Sequence, residues 1–172
     1  MGARDDVLPA LQRSPLFAGL SREELRQIAQ RFDEATFLPE HGVLHESRRG
    51  LDFFLILDGT ACVDADGVAV ARLGPGDFFG EVSALDGGPR TASVRAESML
   101  RCLVLPNGVF RDFLLAHPRV AVNMIPELVR RFRSATRSTT SDPRAAPTGG
   151  GGDPLRRGGS GTGRETVGAT ES

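Results

Sequence analysis

The sequence predicts a mainly β domain with flanking helices, its strands closing into a barrel or jelly roll. Three observations carry that expectation. Between Ala35 and Leu105 the chain is a series of short apolar runs cut at regular intervals by turn signals. Before this stretch a capped segment repeats its apolar residues with helical spacing, and after it a second segment does the same. Composition agrees: 40% of the 172 residues are hydrophobic and 25% charged, a balance that suits one domain with a proper core.

Taken in order, Val7, Leu8 and Leu11 suit a short helix, ended by Pro15, Leu16, Phe17 and Gly19. Ser21 and Glu24 have the spacing of a capping box, in which the hydroxyl and the carboxylate each bond the other residue's amide. Leu25, Ile28, Ala29 and Phe32 follow at i, i+3, i+4 and i+7, one apolar stripe of a helix ending near Arg31 or Phe32. Seven strands are predicted: 35–38, 43–46, 53–57, 60–64, 68–73, 92–96 and 100–105. Turns separate them at Pro39 to Gly42, Arg49-Gly50, Asp58-Gly59, Asp66-Gly67 and Gly74-Pro75-Gly76. Pro75-Gly76 suits a type II turn, with proline fixing one φ and glycine accepting a positive one. Pro106 opens a further helix with Phe110, Phe113 and Leu114 on its face, and His117-Pro118 ends it. A last helix carries Ala121, Met124, Ile125, Leu128 and Phe132 on one side and runs to about Arg133 or Thr136. Pro126 falls inside it and is expected to kink or divide it, since the ring clashes with the preceding turn. From 138 to 172 the chain is Gly, Pro, Ser, Thr and scattered charge, a composition that buries too little apolar surface to order itself.

One stretch points to chemistry. Phe78 to Ala96 reads FFGEVSALDGGPRTASVRA. A Gly-Glu pair starts a turn of helix, a Gly-Gly-Pro turn follows, and Arg-Thr leads into a strand. Amides at the start of a helix favour an anion, so the N–H groups around Gly80 to Ser83 suit a phosphate ester. Arg90 adds a planar, permanently charged fork that takes two oxygens at once. Ionised Glu81 only accepts hydrogen bonds, which suits a sugar hydroxyl.

The Phe79-Gly80-Glu81 opening, Ser83, the Arg90-Thr91-Ala92 triplet and Val94 resemble the phosphate-binding cassette of the cyclic nucleotide-binding domain family. Ser14 to Leu25 resembles that family's helical entry. The resemblance covers roughly residues 14 to 135 and implies a cyclic nucleotide-binding-type barrel or jelly roll, with the N-terminal helical entry in front and C-terminal lid helices behind. The corresponding division is an N-terminal segment 1–13, a cyclic nucleotide-binding domain 14–137 and a tail 138–172. The ligand set it implies is Phe79, Gly80, Glu81, Val82, Ser83, Arg90, Thr91 and Ala92. Arg90 takes the phosphate, Glu81 the ribose 2′-hydroxyl, and Gly80, Ser83 and Ala92 supply amides. Arg130, Arg131 and Arg133 are placed to reach the base or a partner, with Arg130 and Arg133 taken as the lid candidates; the alternative for all three is a set of cations favourably placed near a helix C-terminus. The ligand is cAMP or cGMP, with cAMP favoured, and no separate cofactor is expected. In the family the last helix closes over the base and often mediates dimerisation, so a homodimer is a candidate state. One departure stands out: where the family has Glu-Gly-x-x-Gly, this chain has Glu46-Ser47-Arg48-Arg49-Gly50, and Ser47 takes a place that commonly needs positive φ.

Several classes are set aside. A net charge of −1 gives no bulk attraction to nucleic acid or anionic membrane. All 21 basic residues are arginine, which reads as the coding bias of a high-GC bacterial genome. No apolar run is long enough for a membrane span, which implies a cytosolic protein. Cys62 and Cys102 fall in strand-like runs and read as reduced core thiols. His41 and His45 straddle a glycine turn, so no metal site is expected. No nucleophile-base constellation is present, so no catalytic residue is assigned and no enzyme is expected. No helix-turn-helix follows the last helix, so no DNA-binding domain is expected in this chain and an effector protein would act in trans. The rival reading is an interaction module that has kept the fold and lost the nucleotide.

Overall fold

The computed structural model describes residues 5–106 and 108–140. Helix α1 (Leu8–Arg13), a 3-10 turn (Pro15–Phe17) and α2 (Arg22–Ala29) lead into eight strands. These are β1 (Asp33–Phe37), β2 (Gly42–Leu44), β3 (Phe53–Asp58), β4 (Ala61–Ala65), β5 (Val68–Leu73), β6 (Phe78–Phe79), β7 (Ser93–Ala96) and β8 (Leu100–Leu105). Helix α3 (Glu81–Asp86) lies between β6 and β7, and α4 (Val109–Ala116) and α5 (Pro118–Thr140) close the described chain. The capping box at α2 forms with both bonds in place: the Glu24 amide donates to Ser21 Oγ at 3.2 Å and the Ser21 amide to Glu24 Oε2 at 2.7 Å.

The strands do not close into the expected barrel or jelly roll. They form two four-stranded antiparallel sheets, in the orders β1-β8-β3-β6 and β2-β7-β4-β5. Each sheet keeps two edges, β1 and β6 in one, β2 and β5 in the other, and among the described residues no strand is hydrogen-bonded into both. Closure needs edge strands long enough to pair across the seam. Here β6 has two residues and β2 three, and β5 leaves Val68 to Arg72 exposed.

The first sheet is covered on both faces, which explains the unbroken apolar run of β3. Phe53, Leu55 and Leu57 point into a core with α1, α2, α4 and α5, together with Leu103 and Leu105 of β8. Phe54 and Ile56, with Leu100 and Cys102, point the other way into a core with Leu44, Ala61, Leu73, Val94 and Ala96 of the second sheet. The period-2 alternation of a strand sorts its side chains between the two layers. Cys102 lies wholly in this second core, where burial pushes its thiol pKa up to about 12, while Cys62 is half-buried.

Three helical expectations need correction. Pro126 does not divide the last helix: α5 runs unbroken for 23 residues, past the expected end near Thr136. It is held on both sides of the proline. Before it, Asn123 Nδ2 donates to the carbonyls of Leu16 and Ala18 at 2.9 and 3.0 Å; after it, Arg131 donates to the Phe78 carbonyl of β6 at 2.8 Å. The buried stripe is also rotated from the one expected. Val120 and Met124 are buried and Leu128 packs against the same core, whereas Ile125 and Phe132 are 56% and 72% exposed. The helix expected to open at Pro106 starts instead at Val109, after Gly108 in a left-handed conformation.

Candidate functional site

The site is built where β6 turns into α3. Phe78 and Phe79 pair with β3 and face opposite cores, the ring of Phe79 stacked on Phe54 at 4.8 Å. That fixes the next residue. Gly80 caps α3 with φ of +82°, and a Cβ there would stand 2.6 Å from the Asp52 carbonyl oxygen and 2.9 Å from Arg90 Nη1. Glycine is required twice over, for the left-handed backbone and for the space. The approach is set by Gly74 to Asp77: the Asp77 amide bonds the Gly74 carbonyl at 3.0 Å and Gly76 has positive φ, the expected type II geometry. After α3, Gly87 takes φ of +73° and returns its amide to the Ser83 carbonyl, sending the chain toward Arg90.

Arg90 is 5% exposed and its guanidinium is held from three sides. Nη1 donates to the Gly80 carbonyl at 3.0 Å and to Ser83 Oγ at 2.7 Å, and Nη2 donates to the Asp52 carbonyl at 3.0 Å. Its backbone is paired with the departing loop: the Arg90 amide bonds the Arg48 carbonyl at 2.8 Å, and the Ser47 amide bonds the Arg90 carbonyl at 2.9 Å. Ser47 has φ of +63°, so the loop does adopt the left-handed backbone the sequence pattern calls for, with serine in place of glycine. Desolvation lowers the Arg90 pKa, opposed by Asp52 and Glu81, and an arginine so placed stays charged.

Glu81, the first residue of α3, is 5% exposed. Burial raises its pKa above the usual carboxylate range, and the Arg131 charge opposes that shift. Arg131 Nη1 donates to Glu81 Oε1 at 3.0 Å, Nη2 to the Phe78 carbonyl at 2.8 Å and Nε to Glu127 at 2.9 Å. Its guanidinium carbon lies 4.4 Å from the centre of the Phe78 ring. The arrangement can therefore offer a buried cation and a buried acceptor side by side, with the last helix tied to the acceptor.

The structure brings Gly80, Glu81, Ser83 and Arg90 together. Phe79 faces the core with its ring, Val82 and Thr91 are exposed, and Ala92 is half-buried. Among the last-helix arginines, Arg130 forms a local pair with Glu127 at 2.6 Å and Arg133 is exposed. The guanidinium that reaches the cassette is that of Arg131. A signal for it was present in the sequence, since Arg131 lies eleven residues after Val120 on the side that buries Met124. The carbonyl of Asp52 carries no such signal, because a backbone acceptor is independent of residue type. Among the described residues no group of three or more His, Cys, Asp or Glu side chains could hold a metal ion.

A family model for the cyclic nucleotide-binding domain matches residues 34–117. These residues form a cyclic nucleotide-binding domain. The chain is 25% identical over 128 residues to a CRP-like cAMP-activated global transcriptional regulator of Mycobacterium tuberculosis, covering 72% of this chain and 57% of that protein. Among solved structures, the domain resembles the catabolite activator protein of Thermus thermophilus at 30% identity, with a TM-score of 0.67, over 74% of this chain and 62% of that one. It also resembles the N-terminal domain of a Streptomyces coelicolor transcriptional regulator, at 28% identity and a TM-score of 0.57, over 79% of this chain and 98% of that one. The chain thus spans a little over half the length of the M. tuberculosis regulator. Among the described residues no helix is long and apolar enough to cross a membrane.

Proposed function

We propose that this domain is a non-enzymatic sensor of a cyclic nucleotide, cAMP in preference to cGMP. The observation that carries the reading is the pair of buried, oppositely charged groups, Arg90 and Glu81, at the two sides of the first turn of α3. A cyclic monophosphate has one negative charge and a free ribose hydroxyl, and the pair complements both. Arg90 and the amides of Gly80, Ser83 and Ala92 take the phosphate, Glu81 takes the hydroxyl, and Val82 and Thr91 flank the ligand. The preference for cAMP is supported by the name of the M. tuberculosis relative, a cAMP-activated regulator.

The signal leaves through α5. Because Arg131 ties that helix to Glu81 and to the Phe78 carbonyl, a shift of Glu81 on binding is passed to the segment beyond Pro126. The exposed residues Val122, Ile125, Val129 and Phe132 repeat at intervals of three and four, a seam that fits a second copy of the helix. The resulting homodimer would present the signal to an effector protein acting in trans.

One observation favours the rival reading, an interaction module that binds no nucleotide: Nη1 and Nη2 of Arg90 already have protein acceptors. Equilibrium dialysis of the full chain against cAMP and cGMP separates the two. The chain has no Trp and no Tyr, so a purine absorbance band stands out against the protein. Saturable uptake of cAMP, with weaker uptake of cGMP, is expected; uptake of neither rejects the sensor.

A further inference from the structure

Gly50 has no conformational reason to be glycine. Its φ lies outside the left-handed region, whereas Ser47, three residues earlier in the same loop, occupies that region without being glycine. What distinguishes position 50 is space. A Cβ built there would lie 3.2 Å from Arg90 Nη2, 3.3 Å from Nε and 3.6 Å from the guanidinium carbon. It is nearly equidistant from the two nitrogens and farther from the carbon, so it falls toward the outer Nε/Nη2 edge of the fork and away from the centre of its face.

That edge is the one the protein leaves open. Nη1 has two acceptors, Gly80 and Ser83, and Nη2 has the Asp52 carbonyl, while among the described residues Nε has none. Adjacent Nε–H and Nη2–H groups are the parallel donors that grip an oxyanion at two oxygens. Arg90 cannot easily swing aside to accommodate a neighbour, because it is 5% exposed and tied down through Nη1 and Nη2.

We infer that Gly50 is a specificity-determining residue of the cyclic-nucleotide site: its missing side chain keeps the Nε/Nη2 edge of Arg90 clear for two oxygens of an anionic cyclic phosphate. This rests on the sensor reading above. It adds to the Arg90–phosphate contact a steric gate supplied by a different loop, between β2 and β3.

A double-substitution cycle tests it on the full chain. Calorimetric titration with cAMP is run on the wild type, Gly50→Ala, Arg90→Lys and the pair together. Lysine keeps the charge but has no two-nitrogen edge for a methyl to block. Gly50→Ala is expected to weaken cAMP binding about tenfold or more in the wild-type background and to change it little in the Arg90→Lys background. Its melting temperature is expected to stay close to that of the wild type, since alanine suits the backbone there. Equal affinity of Gly50→Ala and wild type overturns the inference and leaves the sensor reading standing. An equal loss in both backgrounds also overturns it, by assigning the effect to the loop's stability. A wild type that binds no cAMP removes the sensor reading first, and the gate with it.

Discussion

Replacing Arg131 with methionine isolates the tie between the last helix and the cassette. Methionine keeps much of the apolar stem over Phe78 and removes the charge and the donors. Three bonds go with them, to Glu81 Oε1, the Phe78 carbonyl and Glu127. The main loss is at Glu81, whose side chain is 6% exposed and would be left as a buried carboxylate without its cation. Breaking a fully buried pair costs about 3–5 kcal/mol. The Arg131 side chain is 28% exposed, and solvent screening lowers the expected cost to about 1–3 kcal/mol. For a domain of this size that is a fall in melting temperature of roughly 3–10 °C at pH 7. The sign of the pH dependence follows from Glu81. Burial raises its folded pKa above 4.5, so the folded state holds the proton more tightly than the unfolded chain. Glu81's contribution to stability is therefore largest below 4.5 and declines as pH rises through the folded value. Removing Arg131 takes away a lowering influence and pushes that value higher. The destabilisation of Arg131→Met should thus be largest near neutral pH and shrink as pH falls through the carboxylate range. Thermal melts of both proteins across that range read it directly. A variant as stable as the wild type at pH 7, or a difference that grows toward acid, would refute the reasoning.

Other expectations follow from the same geometry. Gly80→Ala combines a left-handed backbone with a Cβ 2.6 Å from the Asp52 carbonyl, so urea unfolding should show a loss of about 2–4 kcal/mol. Asn123→Ala removes two bonds to the Leu16 and Ala18 carbonyls and should cost about 1–2 kcal/mol, with faster amide exchange in residues 15–20 as its local signature. Phe132→Glu places a charge in the exposed α5 seam; sedimentation should show a dimeric wild type and a monomeric variant, and a wild-type monomer would dismiss the seam as an interface.

Much of this was legible in the residues, because local chemistry set it. The α2 capping box, the apolar strands and the type II turn at Pro75-Gly76 each depend on near neighbours in sequence. So do the glycines flanking α3, where a turn needs positive φ. What the sequence hid depends on distant partners. Strand order decides whether sheets close, and no local pattern encodes that β6 would stop after two residues at a glycine that must turn into α3. The face of α5 was misjudged because Ile125 and Phe132 are as apolar as Met124, and only packing against the first core tells them apart. Arg131 was overshadowed by its neighbours Arg130 and Arg133, since three close arginines look alike until one of them meets a buried carboxylate. Gly50 looked like one more turn glycine, whereas its role depends on a guanidinium forty residues further along the chain.

Calorimetric titration of cAMP into the wild type and into Arg90→Ala tests the phosphate contact most directly. Loss of one desolvated member of such a charge pair costs about 2–5 kcal/mol, so affinity should fall by roughly tenfold to several thousandfold. Two proteins binding cAMP with the same affinity would contradict the assignment of Arg90 as the phosphate's partner.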